Sequence, residues 1–99
     1  MTAPRDVSYE DSLLPMLKDP EEAAAYIEAV MELDDPAALL VALRLVAKAH
    51  GMAEVARRAK LGDKSLFKAL SAEGNPTLAT VHKVLHAVGL RLSVVPEHA

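Results

Sequence analysis

The chain has 99 residues, of which 52% are apolar and 25% charged, with a formal net charge of −3 and no cysteine. This is the composition of one globular domain, and the lack of cysteine excludes a disulfide framework and a thiolate metal site. Alanine and leucine supply 33 residues, whereas Ile, Phe, Tyr and Trp supply only 4, so we expect an all-α fold. No apolar run approaches the roughly 18 residues of a membrane span, and the N-terminus lacks a signal pattern, so we expect a cytoplasmic protein.

The first part of the chain predicts a tail, a short helix and a well-capped helix. Residues 1–9 show no periodicity and are interpreted as a tail, while residues 10–18 predict a short helix whose length Pro15 limits. The sequence Asp19-Pro20-Glu21-Glu22 supplies a capping aspartate, a proline at the first helical position and a capping-box glutamate. We expect the helix that starts there to extend to about Leu33.

The next helix is predicted to lie between two other layers. The sequence Asp34-Asp35-Pro36 repeats the start signal, and Gly51 is the expected stop after His50. Two apolar lines follow this helix, one through Leu39, Leu40, Leu43, Val46 and Ala47 and the other through Val41 and Leu45. Because a surface helix needs only one apolar stripe, we expect the C-terminal helices on one side and the preceding helix or a partner on the other.

Three shorter helices and one strand complete the prediction. The helices are expected at 52–60, 63–73 and 78–88, with Thr77 capping the last of them and Gly89 ending it. Residues 90–94 alternate apolar and polar side chains before Pro96, which predicts a short β-strand that needs a partner outside the monomer. We divide the chain into an acidic N-terminal tail and helix, 1–35, and a domain at 36–99.

Charge is distributed unevenly between these two parts. Residues 1–35 hold two basic and ten acidic side chains, a net charge of −8, whereas residues 36–99 hold nine basic and four acidic side chains, a net charge of +5. The asymmetry suggests two surfaces with two partners, of which only the basic one suits phosphate. The alternative is that both are merely solvated helical faces.

The sequence offers little for catalysis. His82 and His86 have the i, i+4 spacing of metal ligands, but no acidic residue follows the first histidine and no third ligand is near. The serines have no recognisable base partner, and adjacent carboxylates do not face one another on a helix. We therefore expect a non-enzyme with no metal and no cofactor.

Residues 52–72 carry the strongest motif. Two short helices are joined by a turn of three or four residues, with a small side chain at Ala56 and a leucine ten residues later at Leu66. A small residue lets the second helix approach the first, the leucine fills the joint, and the turn needs a residue that accepts a left-handed backbone. This pattern indicates a helix–turn–helix.

Residues 36–95 resemble the lambda-repressor-type (XRE) DNA-binding domain, and more closely the addiction-module antidote proteins, the HigA-like antitoxins. The resemblance covers about 80 residues and rests on short segments in a set order: Asp19-Pro20-Glu21, the acidic stretch before Asp35-Pro36, Met52-Ala53-Glu54-Val55-Ala56, Ser65-Leu66-Phe67-Lys68-Ala69-Leu70-Ser71, Glu73-Gly74-Asn75-Pro76, Val81-His82-Lys83-Val84-Leu85 and Gly89-Leu90-Arg91-Leu92-Ser93. The chain departs from the pattern at three places, since Lys60 stands where a turn glycine is usual, Gly62 where a Ser or Thr cap is usual, and Ala53-Glu54 where a glutamine is often found.

The resemblance implies a five-helix-type lambda-repressor-like domain that binds operator DNA as a dimer. Residues 63–72 become the recognition helix, with Lys64 and Ser65 at base edges and Lys68 at a base or a phosphate. Further phosphate contacts are expected from Arg57, Arg58, Lys60, Asn75 and Thr77. The dimer contact is expected at the strand 90–95 or along Val41 and Leu45.

The resemblance also implies a second partner, a small basic RelE/HigB-like ribonuclease toxin neutralised by direct binding. We hypothesise that residues 1–35 supply part of that contact, with carboxylates steering the toxin and apolar anchors at Tyr9, Leu13, Leu14, Tyr26 and Ile27. The alternative is that helix 20–33 simply completes the core of the monomer.

Two other functions stay open at this stage. One is a helix–turn–helix repressor that acts without a toxin. The other is a helical protein–protein adaptor that no longer touches DNA, which the modest positive charge, Asp63 and the unusual turn at Lys60 would suit.

Overall fold

A computed structural model describes the backbone of residues 2–97 and the side chains of residues 10–97. Within that part the chain forms six helices: α1 Thr2–Leu17, α2 Pro20–Met31, α3 Pro36–His50, α4 Met52–Ala59, α5 Asp63–Ala69 and α6 Leu78–Ala87. The expected all-α class is confirmed. None of these helices is long and apolar enough to cross a membrane.

The predicted capping aspartates and threonine occupy the helix starts. The Asp19 carboxylate accepts a hydrogen bond from the Glu21 amide at 3.0 Å, and the Asp35 carboxylate accepts one from Ala37 at 3.0 Å. Thr77 Oγ1 accepts from the Thr80 amide at 3.1 Å. Each cap satisfies an amide that has no partner within the helix, which explains why local sequence located these starts.

Helix α1 starts earlier than predicted, because most of the predicted tail at residues 1–9 is helical. The helix begins at Thr2, includes Pro15 in its last turn and ends at Leu17, close to the end of the helix predicted at 10–18. Leu13 and Leu17 are buried in the core, with exposed fractions of 6% and 0%. Their burial offsets the backbone hydrogen bond that proline removes, a tertiary contribution that local propensity does not contain.

Helix α3 lies at the centre of the molecule. Helices α1 and α2 pack against it from one part of the chain and α4 from the other. The first of its two apolar lines is covered as the sequence analysis predicted, whereas in the second line Leu45 packs on the core but Val41 remains 40% exposed. The Lys48 ammonium, 2.6 Å from the Glu10 carboxylate, adds a polar link between α3 and α1.

One core runs through the whole described chain. It crosses the boundary predicted after residue 35, which falls in the loop between α2 and α3, because buried side chains from both sides of that boundary belong to the same cluster. The largest of the fully buried side chains are Leu17, Val46, Val55, Leu66, Leu70 and Val84. Helices α1 and α2 are therefore part of the folded unit that carries α4 and α5.

The C-terminal segment forms no strand within the described residues. Residues 90–97 carry no regular secondary structure, so the predicted strand is not confirmed. The alternation holds only as far as Ser93, since Leu90 and Leu92 pack on the core and Arg91 and Ser93 are exposed, but the apolar Val94 is 95% exposed. A single extended segment has no ladder partner inside a helical monomer, which is the physical reason that no strand forms here.

Candidate functional site

Helix α5 separates a buried face from a charged face. Leu66 and Leu70, the side chains predicted to face the core, are 0% and 1% exposed. Lys64, Ser65 and Lys68 all lie in the exposed part of the surface. Since residues four apart share a helix face, the two lysines stand one turn apart on the side away from the core.

The two lysines of α5 are exposed cations. Within residues 10–97, neither Lys64 nor Lys68 takes part in an ion pair or a side-chain hydrogen bond. The carboxylate of Asp63 is exposed in the first turn, where it suits the helix dipole but repels an anion. The exposed face of α5 therefore carries two positive charges that are available to an external anion.

Arg57 and Arg58, both predicted phosphate contacts, are engaged with one carboxylate on their own helix. Arg57 Nε donates to Glu54 Oε1 at 3.1 Å, and Arg58 Nε donates to Glu54 Oε2 at 2.7 Å. Hydrogen bonds from Arg57 and then Arg58 hold the pKa of Glu54 below its ordinary value of 4.5, and Glu54 in turn raises the pKa of Arg57. Any phosphate that these guanidinium groups meet has to compete with Glu54.

Arg58 also has a structural contact outside α4. Its Nη1 donates to the carbonyl oxygen of Ala87 at 3.4 Å, at the end of α6. A second arginine, Arg44 of α3, donates from Nη1 to the carbonyl oxygen of Leu70 at 2.7 Å, just after α5. These two side chains join α4 and α5 to the helices around them, so the charged face of α5 is held at a set position.

The connection between α4 and α5 is a left-handed turn built on Lys60. Lys60 has φ 59° and ψ 44°, so the lysine adopts the conformation that glycine usually supplies at this point. Its amide bonds to the Arg57 carbonyl at 3.2 Å, and the Leu61 amide bonds to the Ala56 carbonyl at 2.8 Å. This pair of bonds is a Schellman motif, and it presents the exposed Lys60 side chain just before α5.

The segment after α5 is pressed closely against the end of that helix. A Cβ atom placed on Gly74 would lie 2.1 Å from the carbonyl oxygen of Ala69, so only glycine fits there. Asn75 is exposed beside it, whereas the Thr77 hydroxyl is already used in the cap of α6. Of these two predicted phosphate contacts, Asn75 has the freer side chain.

The histidine pair on α6 is an edge-to-face ring contact. The ring centroids of His82 and His86 are 6.1 Å apart and the rings are perpendicular. Among the described residues no group of three or more histidine, aspartate or glutamate side chains is placed to hold a metal ion.

Four of the five apolar residues predicted as toxin anchors belong to the core or pack on it. Leu13 and Ile27 are buried, and Leu14 and Tyr26 are half-buried and pack against the same cluster. Tyr9 lies in α1, but its side chain is outside the described residues. An amphipathic helix that completes the core uses its large side chains there, which favours the alternative that helix 20–33 completes the core of the monomer.

The charge that the N-terminal helices expose is mostly negative. The carboxylates of α2 and of the loop that follows it are all exposed, namely those of Glu21, Glu22, Glu28, Glu32, Asp34 and Asp35. Beside them a groove of about 250 Å³ lies between α2 and the C-terminal segment, with Ile27, Met31, Leu85, Leu90 and Leu92 among its lining residues. The acidic surface is therefore polar at its outer edge and apolar where it meets residues 90–93.

Sequence reasoning missed three residues of this region. Arg44 lies on a helix that carries two apolar lines and was therefore expected to be covered on two sides. A charged side chain on such a helix needs a hydrogen-bond partner where it is buried, so the sequence already indicated a partner for Arg44. The Glu54 pairs with Arg57 and Arg58 have the i, i+3 and i, i+4 spacings of helical ion pairs, a second available signal. The close approach between Gly74 and the Ala69 carbonyl depends on how the chain turns after α5. The sequence indicates it only by the presence of the glycine.

Comparisons with known proteins give one family and one close relative. A family model described as "Probable addiction module antidote protein" matches residues 11–96. A protein of Haemophilus influenzae strain Rd, described as an uncharacterized protein, is 40% identical over 78 residues, which cover 79% of this chain and 80% of the relative. No solved structure matches.

Proposed function

The chain belongs to the family of probable addiction module antidote proteins, and from that premise we propose that it is the antitoxin of a toxin–antitoxin pair that also represses its own operon. In this proposal the chain acts without catalysis, by binding a RelE/HigB-like ribonuclease toxin with one surface and operator DNA with another. Helices α4 and α5 form the helix–turn–helix, and the acidic N-terminal helices contribute to the toxin contact.

The exposed lysine face of α5 is the observation that carries the DNA-binding part of the proposal. A recognition helix has to bury one side against its own domain and leave the other side free of internal partners. Leu66 and Leu70 meet the first requirement, and Lys64 and Lys68, which have no ionic partner among residues 10–97, meet the second. Lys60 and Asn75, exposed at the two ends of α5, extend the cationic and polar surface.

Fluorescence anisotropy tests the DNA contact directly. The purified chain is titrated with a labelled duplex taken from just upstream of its own gene, beside a scrambled duplex, at several salt concentrations. We expect selective binding whose log affinity falls with log salt by about 0.9 for each phosphate contact. Equal affinity for both duplexes, with and without the neighbouring gene product, would contradict the repressor role.

Two charge-matched variants sharpen that measurement. Lys64→Ala/Lys68→Ala is expected to weaken operator binding at least about tenfold, because a base or phosphate contact is worth roughly 1–3 kcal/mol. Lys18→Ala/Lys83→Ala removes the same charge from exposed lysines outside α4 and α5, and is expected to bind almost as wild type. If both variants lost the same affinity, net charge rather than α5 would control binding.

We propose a dimer because one such domain reads only half of an operator. Two half-sites on one face of DNA lie about 34 Å apart, and a two-fold dimer matches them. The C-terminal segment is the first candidate contact, since Val94 and Val95 are 95% and 70% exposed although they are apolar. In sedimentation at micromolar concentration, Val94→Asp/Val95→Asp should shift the chain toward the monomer, and Val41→Asp on α3 tests the second candidate.

The toxin contact is proposed for the carboxylates of α2 rather than for its apolar residues. Exposed acidic groups steer a basic partner and raise its association rate. The buried side chains of Leu13 and Ile27 hold α1 and α2 on the core. Removal of residues 1–18 would delete part of the core and is therefore a poor test. Surface charge reversal is the better one, since it leaves the core intact.

The expected result concerns the association rate. Glu21→Lys/Glu22→Lys should slow association with the purified product of the neighbouring toxin gene, most strongly at low salt. Glu73→Lys, an exposed charge reversal outside the N-terminal helices, is the control. Unchanged association of the α2 variant would remove these carboxylates from the toxin surface.

A further inference from the structure

Phe67 is an exposed aromatic side chain at the edge of the charged face of α5. It is the chain's single phenylalanine and is 65% exposed. At about 3.6 residues per turn, residue 67 lies about 60° around the helix from residue 64 and about 100° from residues 66 and 68, so the ring flanks the face that carries Lys64 and Lys68. The ring is not part of the buried cluster that contains Leu66 and Leu70.

We propose that Phe67 reads the C5-methyl group of thymine in the major groove of the operator, an inference that rests on the proposed DNA binding. The charge beside the ring favours DNA as its partner. Lys64 and Lys68 have no ionic partner among residues 10–97, and they suit the phosphates and base acceptors that border a DNA groove. The thymine methyl is the apolar group that the edges of the four bases present in that groove.

The chemistry also sets a preference against the other bases. A phenyl ring neither donates nor accepts a conventional hydrogen bond, so placing it over guanine O6, adenine N6 or cytosine N4 would leave that group without a partner. Over thymine the ring and the methyl group bury apolar surface together. Phe67 thus selects thymine by favourable contact and disfavours the other bases by desolvation.

Uracil-substituted DNA isolates this contact. The duplex from upstream of the gene is prepared with thymine and, separately, with uracil at every thymine position, which removes the methyl groups but keeps the charges and pairing edges. Wild-type chain is expected to bind the thymine duplex about fourfold more tightly for each methyl contacted, the factor that corresponds to about 0.8 kcal/mol. Phe67→Ala is expected to bind both duplexes equally, with the salt slope of wild type.

The controls separate this inference from the function on which it rests. Leu78→Ala shortens another exposed apolar side chain, 68% exposed at the start of α6, and should keep the wild-type ratio of the two affinities. Selective operator binding with a ratio that Phe67→Ala leaves unchanged would overturn the role of Phe67 alone. Absence of selective DNA binding would overturn the repressor role and this inference together. If Phe67→Ala lost toxin affinity while the ratio of its affinities for the thymine and uracil duplexes stayed that of wild type, the ring would belong to a protein contact instead.

Discussion

The acidic helix pair α1–α2 and the basic helix pair α4–α5 both join the core around α3, yet they use their side chains in different ways. In α1–α2 the side chains of Leu17 and Ile27 are buried and many carboxylates are exposed, although Met16 and Met31 are 43% and 48% exposed. In α4–α5 an aromatic ring, Phe67, is 65% exposed at the edge of the face that carries Lys64 and Lys68, two lysines without an ionic partner among residues 10–97. The comparison indicates that a partner of the first pair meets mainly negative charge, whereas a partner of the second meets positive charge beside an aromatic ring.

The largest expected effect tests whether α1 belongs to the fold at all. Leu17→Ala removes a fully buried side chain and should lower the free energy of unfolding by about 3 kcal/mol, measured by urea denaturation. Met16→Ala changes the neighbouring residue, which is 43% exposed, and should cost little. If both variants lowered the free energy of unfolding by the same small amount, α1 would be a tail detached from the core. The contrast between the two helix pairs would then disappear.

The next largest effect on stability concerns the close contact between Gly74 and the end of α5. Gly74→Ala forces a Cβ atom onto the Ala69 carbonyl and should destabilise the chain by about 2 kcal/mol, because neither backbone can move freely. Gly62→Ala is the matched control, since a Cβ there would meet Ser65 Oγ at an ordinary 3.7 Å and φ is −69°. Thermal unfolding of both variants gives the comparison, and a stable Gly74→Ala chain would contradict the described packing.

A smaller effect compares two Schellman motifs that differ in their left-handed residue. Lys60 ends α4 with φ 59°, and Gly89 ends α6 with φ 83° and the same bonds, from Gly89 to the His86 carbonyl and from Leu90 to the Leu85 carbonyl. Lys60→Gly should therefore stabilise the chain, and Gly89→Ala should destabilise it, each by about 1 kcal/mol in urea denaturation.

The two roles of Lys60, conformational and electrostatic, are separable. Lys60→Ala keeps the strained conformation but removes the charge, so it should weaken operator binding without a gain in stability. Lys60→Gly should weaken binding by a similar factor while raising stability. If Lys60→Gly were not stabilised, the turn would have to relax in solution to a different backbone conformation.

The smallest effect is a pH dependence that involves Glu54. Because the folded chain lowers the pKa of this carboxyl, the ion pairs stabilise the fold above the unfolded value near 4.5, and this contribution is lost as pH falls through the folded pKa. Glu54→Gln should show a weaker loss of stability on acidification below that value than wild type. The same variant frees Arg57 and Arg58 and should bind operator DNA more tightly at neutral pH.

Glu73→Gln is the control for that variant. Glu73 is exposed and forms no ion pair within residues 10–97, so its amide variant should follow the acid dependence of wild type. Identical pH profiles for wild type, Glu73→Gln and Glu54→Gln would show that the α4 ion pairs contribute nothing measurable, as is common for exposed pairs.

Much of the helical framework was predictable from the sequence because its signals are local. Asp19, Asp35 and Thr77 satisfy amides two or three residues away, and Gly51 and Gly89 take backbone conformations that other residues resist. The buried face of α5 was likewise predictable from the four-residue spacing of Leu66 and Leu70. The function of that face remains a prediction from resemblance and charge.

The remaining features depend on which residues from distant parts of the chain come together. Pro15 stays inside a helix because Leu13 and Leu17 reach the core, and for the same reason Leu13 and Ile27, two of the expected apolar anchors, are buried. Arg44 is committed to the Leu70 carbonyl, and residues 90–97 lack a strand partner. The sequence by itself thus determined the starts of α2, α3 and α6, the stops at Gly51 and Gly89 and the buried face of α5, which rest on neighbours within about four residues. Only the tertiary structure decided which exposed groups are left to meet a partner, because burial and pairing are properties of the packed chain as a whole.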